Sequence, residues 1–235
     1  MANSEHTSKQ FDAELEAVRA RVLQMGGLVE SQIRLAIESL ISGDVELMNR
    51  VIDDDHRVNA MEVEIDESCN HILVRRQPAA GDLRMIMTVI KTITDLERIG
   101  DEAEKIARMA KLLSQKERLR HPRYHQIKHA SDIALDMLRK SLDAFARLDL
   151  GSAAQVVRQD EQVDEEFRSI MRYLITFMME DPRTISTSLE ILFVAKAIER
   201  IGDHAKNMCE YVVYMVKGRD VRHVSVEEFE REVRE

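Results

Sequence analysis

Two carboxylates four residues apart, Glu97 and Asp101, lie in the run Leu96-Glu97-Arg98-Ile99-Gly100-Asp101-Glu102. The arrangement returns 102 residues later as Ile198-Glu199-Arg200-Ile201-Gly202-Asp203-His204. In a helix, residues i and i+4 stand one above the other, so each motif projects two acids from one face with at most ~6 Å between their Cβ atoms. Such acids repel unless a proton, an arginine or a metal ion lies between them. Gly100 and Gly202 fall on the same face and leave room beside the carboxylates, although a helical glycine costs about 1 kcal/mol relative to alanine.

The elements that carry these motifs are themselves repeated. Upstream, Asp44, Val51, Asp55 and Val58 find counterparts 105 residues on in Asp149, Val156, Asp160 and Val163. The change of offset from 105 to 102 places a three-residue length difference between the two helices of each copy, near Gln77 to Gly81 and Glu180 to Arg183. Loops tolerate such differences. At 100° per residue, Ile86, Val89, Ile90, Ile93 and Leu96 form an apolar stripe that reaches Glu97, with Asp101 at its edge; Ile191, Leu192, Ala195 and Ile198 lead likewise to Glu199 and Asp203. The preceding helix interrupts its own stripe (Val51, Val58, Ile65, Cys69, Ile72) with Asp55 and Glu62, and carries Asn59 at the edge. Its counterpart (Val156, Val163, Phe167, Ile170, Leu174) is interrupted by Asp160, with Asp164 at the edge. Asp55, Asn59 and Glu62 are thus expected to face Glu97 and Asp101, and Asp160 and Asp164 to face Glu199 and Asp203. Oxygen-only donors of this kind suit Mg, Mn, Ca or Fe better than Zn.

Composition and punctuation fix the scaffold. The chain is 44% hydrophobic and 33% charged but 4% aromatic, with no Trp and three Pro, which fits long helices and not a sandwich or barrel. Gly43-Asp44, Pro78 to Asp82, His121-Pro122, Asp149 with Gly151, Asp181-Pro182 and Gly218 mark helix ends, and Ser225 with Glu228 has capping-box spacing for a short last helix. The expectation is all-α: two tandem, pseudo-symmetric three-helix bundles, residues 1–120 and 121–235, with six helices of about 25 to 35 residues and a short extra C-terminal helix. The stretch from Lys111 to Lys128, rich in Lys and Arg, reads as the linker between copies, and the face of His121, His125 and His129 as a polar helix start. Cys69 and Cys209 fall on helices and read as core filling, giving no disulfide framework. No run approaches the ~20 apolar residues of a membrane span, and a formal net charge of −9 argues against general nucleic-acid binding. A cytoplasmic protein is expected.

The paired Glu-Arg-Ile-Gly-Asp motifs, the upstream Asp160-Glu-Gln-Val-Asp164 and its counterpart Asp55-His-Arg-Val-Asn59, and Gln77-Pro-Ala-Ala-Gly-Asp-Leu-Arg84 together resemble the PhoU family over nearly the whole chain. The resemblance implies two three-helix bundles with a multinuclear metal site on each, built from these acidic motifs. It implies a homodimeric regulator of phosphate uptake that connects the ATPase of the phosphate ABC transporter to a sensor histidine kinase and keeps phosphate-starvation genes off. Such a protein would meet the membrane only through its partners. Asn59 departs from the family's aspartate, which implies weaker binding at the first site. The alternative function is a carboxylate-bridged metalloenzyme on a helical bundle. A di-iron bundle calls for Glu-x-x-His pairs, which neither site offers, and no phosphate loop, nucleophile elbow or triad pattern is present.

Overall fold

The computed structural model describes residues 9–115 and 124–234. Seven α-helices account for nearly all of them, with no strand among the described residues: α1 (Lys9–Ser42), α2 (Val45–Arg76), α3 (Ala80–Ser114), α4 (Tyr124–Arg147), α5 (Leu150–Glu180), α6 (Ile185–Lys217) and α7 (Val226–Arg234). A single 3-10 turn, Pro182–Thr184, precedes α6.

Helix ends follow the punctuation for local reasons. Asp44 accepts from the backbone N–H groups of Glu46 and Leu47, and Asp149 from those of Gly151 and Ser152, so each satisfies two donors that the first turn leaves open. Gly43 and Gly218 close α1 and α6 in the left-handed conformation, at φ 75° and 72°, where the absence of a Cβ removes the penalty. The Ser225 hydroxyl accepts from the Glu228 N–H at 3.3 Å to start α7. One break differs from expectation. The chain turns at Gln77 to Ala79, and Gly81 and Asp82 already lie in the first turn of α3. The change of direction is made by Gln77, itself left-handed at φ 45°, ahead of Pro78. The boundary expected at 120/121, the His121-Pro122 cap and the middle of the basic linker, 116–123, lie outside the described residues, while 111–114 and 124–128 of that stretch belong to α3 and α4. Lys111, at the linker's start, is docked on Asn49 Oδ1 at 2.7 Å.

Helices α1, α2 and α3 pack on one another, as do α4, α5 and α6, and the two bundles share one continuous core. They meet mainly through α3 on α6 and secondarily through α1 on α4. Thr88 lies by Tyr211, Asp95 by His204 and Glu102 by Arg200, so α3 and α6 run antiparallel. The expected stripes form the core: Ile86, Val89, Ile93 and Leu96 on α3, Val51, Val58, Ile65, Cys69 and Ile72 on α2, and Val156, Val163, Ile170 and Leu174 on α5 are buried, while Ile90, Phe167 and Leu192 are partly buried against them. Both cysteines are free and buried, the Cys69 thiol pushed up to about 12 by that burial. No helix among the described residues is long and apolar enough to cross a membrane.

Candidate metal centres

Each bundle brings its two acidic helices together. In the first, Gly100 sits where α3 crosses α1 and α2. A Cβ there would stand 3.3 Å from Val58 Cγ1 and 3.4 Å from both Asp55 Oδ1 and Gln32 Oε1. The glycine thus admits two oxygens to the crossing. Asp55 is 8% exposed, and its Oδ2 accepts from the Asn59 amide at 3.1 Å. Burial, then the charges of Glu104 and Asp101, hold the Asp55 carboxyl above the usual carboxylate range. Glu97, half-buried, is also raised, by burial, Asp101, Glu62 and Asp55 against the pull of Arg98. Glu62 accepts from the Thr94 hydroxyl at 3.2 Å. All five residues named for this site therefore gather on one α2/α3 face, joined by two others: Gln32 from α1 and Glu104 from α3.

The second bundle repeats the geometry with different occupants. A Cβ at Gly202 would meet the Met137 Sδ and Cε and Val163 Cγ1, each at 3.6 Å. Asp160 is 7% exposed, and its Oδ2 accepts from Lys206 Nζ at 2.7 Å. Lys196 Nζ donates to both oxygens of Glu199, at 2.6 and 2.5 Å, and lies 5.3 Å from the centre of the Phe167 ring. Arg168 donates to Asp164 at 3.2 Å. Asp203 has an exposed edge, yet its packed surroundings and the charges of Glu199 and Asp160 push it up to about 6. Asp203 thus lies within charge range of the other three acids named for this site.

The basic residues of the motifs divide. Arg98 stays local, 3.5 Å from Glu97 and from Asp101. Arg200 crosses to α3, where its Nη1 lies 2.6 Å from Glu102, an acid buried at the seam. His204 points away from the carboxylates, with Nδ1 2.6 Å from Asp95 Oδ1.

Among the described residues, no three His, Cys, Asp or Glu side chains stand together as a ready ligand shell. The donor sets nevertheless differ in what they lack. In the first bundle both amide atoms of Gln32, Asp55 Oδ1 and Asn59 Oδ1 are buried and make no hydrogen bond of good geometry, although the Gln32 amide is close enough to Asp55 to pull its carboxyl down. Such atoms cost about 1–3 kcal/mol each when left so, and three of the four are oxygens that fit a hard cation. The second bundle leaves none of its named carboxylate oxygens in that state. Sequence reasoning missed Gln32, Glu104, Lys196 and Lys206, although the repeat itself aligns them with Met137, Lys206, Thr94 and Glu104 at the two offsets.

Two antiparallel-packed copies of one three-helix unit, each with acids converging at a glycine crossing, define a tandem helical repeat with paired acidic sites. The PhoU domain family model matches twice, over residues 22–110 and 127–212. The chain belongs to the PhoU family. It is 49% identical over 228 residues to the phosphate-specific transport system accessory protein PhoU of Serratia marcescens, covering 97% of this chain and 93% of that protein. The fold resembles the crystal structure of PhoU from Pseudomonas aeruginosa, with a TM-score of 0.85 at 48% identity over 89% of this chain and 100% of that one. It also resembles the phosphate transport system regulatory protein PhoU from Streptococcus pneumoniae, with a TM-score of 0.83 at 28% identity over 90% and 99%.

Proposed function

We propose that this chain is an accessory and regulatory protein of a phosphate-specific transport system, non-enzymatic, cytoplasmic and homodimeric. It adapts the transporter's ATPase subunit to a phosphate-sensing histidine kinase and holds phosphate-starvation genes off when phosphate is plentiful. The observation that carries this is near full-length likeness, at close to half identity, to proteins named for that accessory role. The acidic sites are its cation-binding element, taking Mg, Mn or Fe through Asp55, Asn59, Glu62, Glu97 and Asp101 in one copy and Asp160, Asp164, Glu199 and Asp203 in the other. A bound divalent ion would bring together carboxylates that otherwise repel, and so tie α2 to α3 and α5 to α6. Membrane contact is through the partners.

Deletion of the gene tests the regulatory reading. Starvation genes should come on in rich phosphate, and affinity capture from phosphate-replete cells should recover the transporter ATPase. Normal repression in the deletion strain would overturn it.

A further inference from the structure

The two acidic sites occupy equivalent positions but do not carry equivalent charge. Three differences between the copies make the first site the more acidic, against two, Asn59 for Asp164 and Arg108 for Glu210, that act the other way. Where the second copy has Lys206, bonded to Asp160 at 2.7 Å, the first has Glu104. Where the second has Lys196, chelating Glu199, the first has Thr94. Where the second has Phe167, the first has Glu62. The second site thus holds two ammonium groups on its own carboxylates. The first has no lysine at either position; it gains Glu62 and Glu104, the latter bonded to Arg108, and has Asn59 where the second has Asp164.

Beneath the acids the contrast continues. Gln32 is 3% exposed and aims Oε1 at Gly100 beside Asp55 Oδ1, with neither of its amide atoms in a hydrogen bond of good geometry. Its counterpart Met137 fills the same place with thioether and methyl. A hard cation is a poor match for sulfur and a good one for amide and carboxylate oxygen.

Resting on the cation-binding reading above, we propose that the copies are unequal. The first site is the primary cation site, with Gln32 Oε1 and Asp55 Oδ1 as inner donors, and the second is closed by its own Lys206 and Lys196. To open the second site, a metal ion has to displace both ammonium groups. To enter the first, it meets Gln32 Oε1 and Asp55 Oδ1, which no ammonium group holds. The Asn59 departure removes one charge from the first site but keeps a buried oxygen donor there.

Full-length, chelator-stripped protein titrated with Mn²⁺ by calorimetry, with elemental analysis of the desalted complex, tests this. Wild type should show one tight phase. Asp55→Asn should weaken that phase by about tenfold or more, and Asp160→Asn far less. Gln32→Met, a side chain the fold already accepts opposite Gly202, should weaken it while leaving the melting temperature of the metal-free protein unchanged or higher. Glu104→Lys should suppress it by installing the second copy's closure in the first, and Lys206→Gln should add a second phase and raise the bound Mn²⁺. Equal losses from Asp55→Asn and Asp160→Asn, with no gain from Lys206→Gln, would overturn the inequality and leave cation binding standing. Absence of Mn²⁺ binding in every form would overturn both.

Discussion

Replacing each motif glycine by alanine provides a matched experiment within one chain. Both positions are mid-helix, buried and equivalent in the repeat, so alanine should gain about 1 kcal/mol of helix propensity at either. What differs is the space. At Gly202 the new methyl would meet Met137 and Val163 at 3.6 Å, ordinary van der Waals contact with a flexible thioether on one side. At Gly100 it would meet Val58 Cγ1 at 3.3 Å and two oxygens at 3.4 Å. Val58 is fully buried and β-branched, with one preferred helical rotamer, so it cannot turn aside. Relieving the overlap means moving α2 against α3, and overpacking of this kind costs about 1–3 kcal/mol. The methyl would also crowd Asp55 Oδ1 and Gln32 Oε1, which make no hydrogen bond of good geometry.

Gly202→Ala should therefore stabilise the protein by about 1 kcal/mol, and Gly100→Ala should destabilise it by about 1 kcal/mol once overpacking is set against propensity. At about 2–4 °C per kcal/mol for a chain of this size, the two variants should melt roughly 4–8 °C apart in chelator-treated protein. Thermal unfolding followed by circular dichroism, with urea titration as a second measure, gives the comparison. Equal stabilisation by both substitutions would refute the reasoning, since it would mean that the first crossing gives way and that Gly100 is not needed for room.

Two further perturbations test the charges. Arg200→Ala strands the buried Glu102 carboxylate with only Lys105, at 3.2 Å, in place of two cations; the expected loss is about 2 kcal/mol, below the 3–5 seen when a buried charge loses its only partner. Glu102→Gln, which removes the charge itself, should cost clearly less in the same urea titration, and an equal cost would mean the stranded charge is not the cause. Asp203→Asn should act through pH: the folded carboxyl holds its proton to about 6 while the unfolded chain releases it near 3.8, so ionisation works against the metal-free fold as pH rises through that window. The variant should match wild type below about pH 4 and exceed it by about 1 kcal/mol above pH 7, a figure discounted for the solvent at its exposed edge. A stability difference that was constant across that range would remove the repulsion argument.

Much of this was legible in the chain because helices write their rules locally. The Asp44 and Asp149 caps, the Gly43 and Gly218 stops and the stripes through Val51 and Ile86 each depend on spacing within one helix, and all appear in the structure. The turn falls within the stretch expected from Gln77 to Gly81 but ends two residues sooner, because Pro78, Gly81 and Asp82 are all strong breakers and only the backbone shows where the next helix begins. The acidic residues stand out in the chain because they interrupt apolar stripes. Their surroundings do not, because what stands opposite an acid depends on how helices cross. Gln32 on α1 belongs to the first site only because α1 passes beneath Gly100, and Arg200 leaves its own motif only because α3 offers Glu102. The repeat carried an additional signal that spacing arguments pass over: equivalent positions that disagree. Glu104 against Lys206, Thr94 against Lys196 and Gln32 against Met137 are visible by aligning the copies at offsets 102 and 105. Identical residues in the two copies mark what the fold requires twice, a glycine at each crossing and acids around it. The residues that differ set the charge and donor atoms at each crossing, so it is there that two copies of one scaffold can be given different affinities for the same ion.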